Sequence, residues 1–168
     1  DMVVHTSPRI KNYGERTLWN RPPVIGHFPC GMCNVCPLTR ATKEIDLYLG
    51  KPWRQLKHTN CNSKNVIYMI TCPCVMRYIG MTSRPVNIRI QEHASNVRCK
   101  RSTTWMATHY KDKNHTVADI SWTIIEQVIC SPGNMNKVLL EKEQRWIYKL
   151  STCENELNDE IPWCAISI

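Results

Sequence analysis

Asn65-Val66-Ile67-Tyr68-Met69-Ile70-Thr71-Cys72-Pro73-Cys74-Val75-Met76-Arg77-Tyr78-Ile79-Gly80-Met81 carries the clearest pattern in the chain. Val66, Tyr68 and Ile70 alternate with Ile67, Met69 and Thr71, which reads as a strand. Cys72-Pro73-Cys74 breaks it, and Arg77 to Met81 reads as a second strand, so the two are expected to form an antiparallel hairpin. Tyr68 and Tyr78 lie ten residues apart on the two strands and are expected to face each other across the ladder. Downstream, Thr82-Ser83-Arg84-Pro85 signals a helix start, with a capping hydroxyl and an early proline. Val86, Ile90 and Val97 then recur at helical spacing. A weaker helix is expected over about 103–111, and Ile120, Trp122 and Ile124 alternate as a third strand. Past the loop Ser131-Pro132-Gly133-Asn134, a helix is expected over about 136–150, with Leu139, Leu140, Trp146, Ile147 and Leu150 on one face. This order predicts a small α+β layer fold: a three-stranded antiparallel or mixed sheet flanked by helices.

Upstream the pattern weakens. Residues 1–29 are polar and basic, with Pro22-Pro23 and Gly26, and read as a linker or extended segment. Residues 30–64 form a Cys-rich segment in which Pro37, Gly50 and Pro52 break any long element. Residues 65–168 hold the α+β domain. No run near the N-terminus reads as a signal peptide, and none approaches the roughly 18 apolar residues of a membrane span. The 22 lysines and arginines against 14 acidic residues leave a net charge of +8, which favours a polyanionic partner such as nucleic acid.

Ten cysteines in 168 residues demand either disulfides or metal. Cys30, Cys33 and Cys36 form C-x2-C-x2-C, and Cys72 and Cys74 form C-x-C; such close pairs suit a metal better than long-range bridges. The compartment is therefore read as reducing, and Asn114-His115-Thr116 as a chance sequon. Cys72, Cys74, His109 and His115 fit a four-ligand zinc site, C-x-C plus H-x5-H. Cys30, Cys33, Cys36 and Cys61 fit a second, all-cysteine zinc site, with His58 as a possible substitute. Cys99, Cys130, Cys153 and Cys164 are expected to be reduced, buried thiols.

Three further features bear on chemistry. Paired tyrosines on a sheet are first of all good strand formers, but a phenol beside positive charge can also act as a base or orient water. Arg89 and His93, at i and i+4, share a helix face at the edge of the Val86–Ile90–Val97 stripe. Glu143 falls within the apolar stripe of the last helix, where a carboxylate must be paired (for instance with Arg89), protonated or bound to metal. Asn158 by itself is an ordinary loop residue.

Taken in order, Val66-Ile67-Tyr68, Tyr78-Ile79-Gly80, Arg89 with His93, Glu143 and Asn158 resemble the signature of the GIY-YIG nucleases, over about 65–158. The branch carried by Penelope-like retroelements is closer still. There too a Cys-rich knuckle precedes an N-C-x-S-x-N-V-I-Y run, here Asn60 to Tyr68, and cysteines separate the tyrosine motifs. Paired histidines follow the first helix, and E-x-x-W-I marks the last, here Glu143 to Ile147. The resemblance implies a metal-dependent DNA endonuclease that nicks target DNA and leaves a 3′-hydroxyl primer for a fused reverse transcriptase. In that scheme Glu143 holds one Mg2+ or Mn2+, Arg89 neutralises charge on the phosphate, and Tyr68 or Tyr78 activates water. His93 assists proton transfer or positions a tyrosine, and Asn158 braces the cleft. The implied partners are DNA, the element RNA and the fused polymerase, with no membrane; the implied location is the nucleus, within a larger polyprotein. A chain opening at Asp1 rather than at methionine agrees with that expectation. Val66 in place of the motif glycine, Met81 where some relatives have lysine, and Glu156 before Leu157-Asn158 depart from the pattern. The competing class is a non-catalytic zinc-bearing nucleic-acid-binding module.

Overall fold

The computed structural model describes residues 24–45, 52–101, 104–129, 132–150 and 158. Among these residues, seven strands and three α-helices follow in chain order: β1 (Gly26–Phe28), β2 (Glu44–Ile45), β3 (Trp53–Arg54), β4 (His58–Asn60), β5 (Val66–Thr71), β6 (Arg77–Thr82), α1 (Val86–Arg98), α2 (Trp105–Asp112), β7 (Ser121–Gln127) and α3 (Met135–Leu150). The class is α+β. The main sheet has the order β6-β5-β7, antiparallel throughout, so the most apolar strand is central and paired on both sides.

Period-two alternation along β5 feeds two cores. Val66, Tyr68 and Ile70 face Val86, Ile90, Ala94 and Val97 of α1 and Met106 and Tyr110 of α2. Ile67 and Met69 face Leu139, Trp146, Ile147 and Leu150 of α3. A β-bulge interrupts the β5–β7 ladder at Ile67/Tyr68: Tyr68 pairs with Ile124, Ile67 with Glu126, and Ile125 is the extra residue. Ile124 lies in the first core and Ile125 in the second, and the extra residue shifts the alternation beyond them, so Glu126 opposite Ile67 shares the second face with Ile125. Glu126 then meets α3, where its carboxylate accepts a 2.7 Å hydrogen bond from Trp146 Nε1 and pairs with Lys142 Nζ at 2.7 Å.

The N-terminal residues do not stand apart from this sheet. Gly26–Phe28, inside the expected extended segment, pairs in parallel with β4. Val35 joins the first core, and its carbonyl accepts from Trp122 Nε1 at 3.3 Å. Ile45 joins the second core, and Trp53 packs edge-on against Trp146 with centroids 5.1 Å apart. The Cys-rich segment thus covers both sheet faces and gains apolar burial that its own composition lacks.

Several local expectations are corrected. No hydroxyl caps α1: its cap residue is Pro85, and the first amides, of Val86 and Asn87, donate to the carbonyls of Ser63 and Cys61 at 3.0 and 2.9 Å. Tyr68 lies opposite Gly80 and Tyr78 opposite Ile70, so the tyrosines share a face one pair apart and are not directly opposed. Leu140 is exposed on α3. Cys99, expected buried, is exposed at the end of α1; Cys130, Cys153 and Cys164 lie outside the described residues. No helix among the described residues is long and apolar enough to cross a membrane.

Candidate functional site

Gly80 makes room for the site. Its missing side chain leaves space for the Tyr68 phenol: a Cβ built there would collide with Tyr68 Oη, lie 2.5 Å from Tyr68 Cζ and 2.9 Å from Tyr78 Cε1. With that space open, the wholly buried Tyr68 lies across β6 with its ring 6.4 Å from that of Tyr78. Its hydroxyl shares a 2.8 Å hydrogen bond with His93 Nε2 and accepts a 3.3 Å bond from Arg89 Nε. His93 is not at the edge of the core, as its place on the helix wheel suggested, but inside it at 1% exposure. Its ring lies 5.2 Å from that of Tyr78, so Tyr68, Tyr78, Arg89 and His93 meet at one point.

The electrostatics follow from burial. Removal from water, and then the repulsion of Arg89, lower the His93 pKa to about 3, so its imidazole is neutral near pH 7. Burial, reinforced by Tyr78 and opposed by Arg89, pushes the Tyr68 phenol well above its ordinary value. Glu143 completes the group from α3. Burial raises its carboxyl to about 7, against the Met81 backbone and Arg89, both of which favour the charged form. Among the described residues no cation pairs directly with this carboxylate. Asn158 arrives from beyond α3 and clamps the outer edge of β6: the Ile79 amide donates to its Oδ1 at 2.8 Å, and its Nδ2 donates to the Ile79 carbonyl at 2.7 Å. It satisfies two backbone groups that an edge strand leaves open and braces the strand bearing Tyr78.

Two clusters flank this centre. In each, four possible ligand atoms lie within 4.8 Å of one another: Cys30, Cys33, Cys36 and Cys61 in one, and Cys72, Cys74, His109 and His115 in the other. His58 belongs to neither: its Nδ1 bonds the Val24 carbonyl at 3.0 Å and its ring stacks on Phe28. In the all-cysteine cluster, Sγ separations of 3.4, 3.5 and 3.8 Å approach the ~3.8 Å that four sulfurs adopt around zinc at about 2.3 Å. The Gly31 amide donates to Cys36 Sγ at 3.2 Å, and the Cys30 amide to Cys61 Sγ at 3.4 Å, contacts that favour thiolate. Although burial opposes it, the Cys36 thiol is drawn down to about 6 by hydrogen bonds from the backbone and its neighbours. In the mixed cluster, His109 Nε2 lies 3.4 Å from Cys72 Sγ and 3.0 Å from Cys74 Sγ. The Nε2 of His115 is buried without a hydrogen-bond partner among the described residues, a costly arrangement that a metal would relieve. Both donor sets, S4 and S2N2, suit zinc, and both clusters could hold such a metal.

Their placement ties them to the site. Cys61 carries the carbonyl that receives the Asn87 amide of α1, the helix of Arg89 and His93. Cys72 and Cys74 close the hairpin between the strands of Tyr68 and Tyr78. That turn holds Val75 at φ 67°, a left-handed conformation costly for a β-branched residue, while Val75 N–H bonds the Cys72 carbonyl at 3.0 Å.

Of the residues singled out by sequence, Tyr68, Tyr78, Arg89 and His93 are brought together, with Glu143 and Asn158 on the adjoining β6 edge. Sequence reasoning missed Glu92, whose carboxylate takes Arg89 Nη1 at 2.9 Å and Arg84 Nη2 at 2.7 Å. The signal was present: Glu92 stands three residues after Arg89, a spacing that aligns opposite charges on a helix. Comparison with family models, with curated proteins and with solved structures finds no match. Fold and site therefore define a class by themselves: an α+β protein with two candidate metal clusters around a buried Tyr–His–Arg centre and a half-buried carboxylate.

Proposed function

We propose that this protein is a divalent-metal-dependent DNA endonuclease of the GIY-YIG kind, which nicks one strand by hydrolysis. The observation that carries the reading is the Tyr68–His93–Arg89 contact, with the Glu143 carboxyl raised to about 7 nearby. A purely structural network has no need of a carboxylate held without a paired cation beside an arginine.

Arg89, steered by Tyr68, supplies fixed positive charge for the scissile phosphate. Tyr68 is enclosed, so its part is to orient Arg89 and His93. Tyr78 is only partly buried and is the tyrosine that water can reach. The neutral His93 ring shares a hydrogen bond with the Tyr68 hydroxyl and packs edge-on against Tyr78, so its part is to position both phenols. Asn158 keeps β6 from shifting under Tyr78. Glu143 offers the single hard oxygen ligand that Mg2+ or Mn2+ commonly takes from a protein when phosphate supplies others. Such an ion supplies Lewis acidity at the phosphate and the departing 3′ oxygen. Departure of that oxygen leaves a 3′-hydroxyl and a 5′-phosphate. The resemblance to Penelope-like elements extends the proposal: the nick primes a fused reverse transcriptase, in the nucleus, with element RNA as template.

The two cysteine clusters also fit the competing reading, a zinc-bearing module that binds nucleic acid without cutting it. Incubating the purified chain with supercoiled plasmid and Mg2+ or Mn2+ decides between them. Nicked circles that a polymerase extends without end repair are expected, and Glu143→Ala is expected to lose at least about 100-fold in rate. Intact plasmid, or equal cutting by Glu143→Ala, refutes the proposal.

A further inference from the structure

Glu92 joins two arginines that differ in their surroundings. Arg89 is two-thirds buried, 33% exposed at its side chain, and its Nε is committed to Tyr68; Arg84 is 54% exposed and precedes α1. Arg84 is nevertheless well placed. The buried Thr82 hydroxyl accepts from the Arg84 amide at 3.1 Å and donates to the Arg84 carbonyl at 3.3 Å, fixing the backbone from which the side chain leaves. Each Glu92 oxygen takes one guanidinium, and the hydrogen bond from Arg89, with help from Arg84 and against burial, holds the carboxyl below its ordinary range.

An ion pair this exposed adds little to folding. Its geometry has another use. A carboxylate gripped by two guanidiniums presents the same negative, two-oxygen face as a phosphodiester, the group that arginine forks bind best. The trio keeps a net positive charge, and the outer arginine lies open to solvent.

We infer that Arg84 is a second phosphate-binding residue, contacting the nucleic-acid backbone next to the phosphate held by Arg89. In this arrangement Glu92 is a positioning residue that holds both guanidiniums until phosphate displaces it. The inference rests on the phosphodiester reading of the site and adds to it a residue, a surface and an exchange of anions. The exchange has an unusual signature: neutralising Glu92 removes a competitor for phosphate and, at the same time, the anchor of Arg89. Binding should tighten while turnover slows.

The test uses the full chain and a fluorescently labelled duplex oligonucleotide. Anisotropy titrations without divalent ions, over a salt series, separate binding from cutting. Arg84→Ala is expected to bind several-fold more weakly and to flatten the slope of log affinity against log salt by about 0.9, the loss of one phosphate contact. Arg84→Lys keeps the charge and is expected to recover the slope. Glu92→Gln is expected to bind more tightly, while its kcat on plasmid falls about tenfold through loss of a charge-assisted anchor. A parent-like slope and affinity for Arg84→Ala overturn the Arg84 assignment and leave the nuclease reading standing. Weaker binding by Glu92→Gln overturns the exchange. A parent chain that binds no DNA overturns the nuclease reading together with both.

Discussion

Glu143→Gln should make this protein more stable, by an amount that depends on pH. In the folded chain burial raises the Glu143 carboxyl from 4.5 to about 7. At 1.36 kcal/mol per pKa unit, ionising it in place costs at most about 3.4 kcal/mol. Its partial exposure reduces the figure through solvent screening, to about 2 kcal/mol. The sign follows from linkage: below pH 4.5 both folded and unfolded forms are protonated and there is no penalty. Between 4.5 and about 7 the unfolded chain loses its proton first, so stability falls as pH rises, and above 7 the penalty is complete. Glutamine has nearly the same shape and no charge to desolvate. Urea denaturation of parent and variant at pH 8 and pH 5 is the assay. The variant should be about 2 kcal/mol more stable at pH 8, and within about 1 kcal/mol of the parent at pH 5. The metal clusters are common to both chains and cancel in the comparison. A variant less stable at pH 8, or a difference independent of pH, refutes the picture of a strained, desolvated carboxylate. A positive result agrees with a group retained for chemistry at the expense of folding.

Three further predictions concern the frame around the site. Elemental analysis of reduced, folded protein should find two zinc ions per chain, one per cluster; Cys72→Ser should lose one of them, and a chelator should lower the melting temperature, whereas zinc-free folded protein would contradict both sites. Gly80→Ala should cost about 1–3 kcal/mol through overpacking against Tyr68 and should abolish cleavage, because the phenol must leave His93 and Arg89; a parent-like melting temperature and rate would show that the tyrosine does not need that space. Val75→Gly should raise stability by about 1 kcal/mol, since glycine takes the left-handed conformation of the hairpin turn freely; a lower urea midpoint would show that the turn is not strained.

Local pattern in the chain specifies β5, β6, β7, α1, α2 and α3 and the α+β class, whereas the short strands β1 to β4 carry no such pattern. The alternation of Val66 to Thr71, the punctuation by Cys72-Pro73-Cys74 and the spacing of Val86, Ile90 and Val97 are local patterns, and the local backbone follows them. Short-range spacing marks Cys30, Cys33 and Cys36, and Cys72 and Cys74, as local donor groups, and the tertiary fold brings the expected Cys61 to the first group and the expected His109 and His115 to the second. The site residues were legible as types in a familiar order; how they meet was not. A bulge of one residue in β7 decides which face Glu126 presents to α3, and no periodicity marks it. Helix wheels placed His93 at the edge of the core, and the packing of β6 beneath α1 put it inside. The first amides of α1 find carbonyls at Cys61 and Ser63, more than twenty residues upstream, where a local hydroxyl was expected. Patterns of three or four residues specify which way a side chain leaves its own element. Only the long-range contacts among elements decide what it meets there, and so which charges are stripped of water and which thiols share a centre.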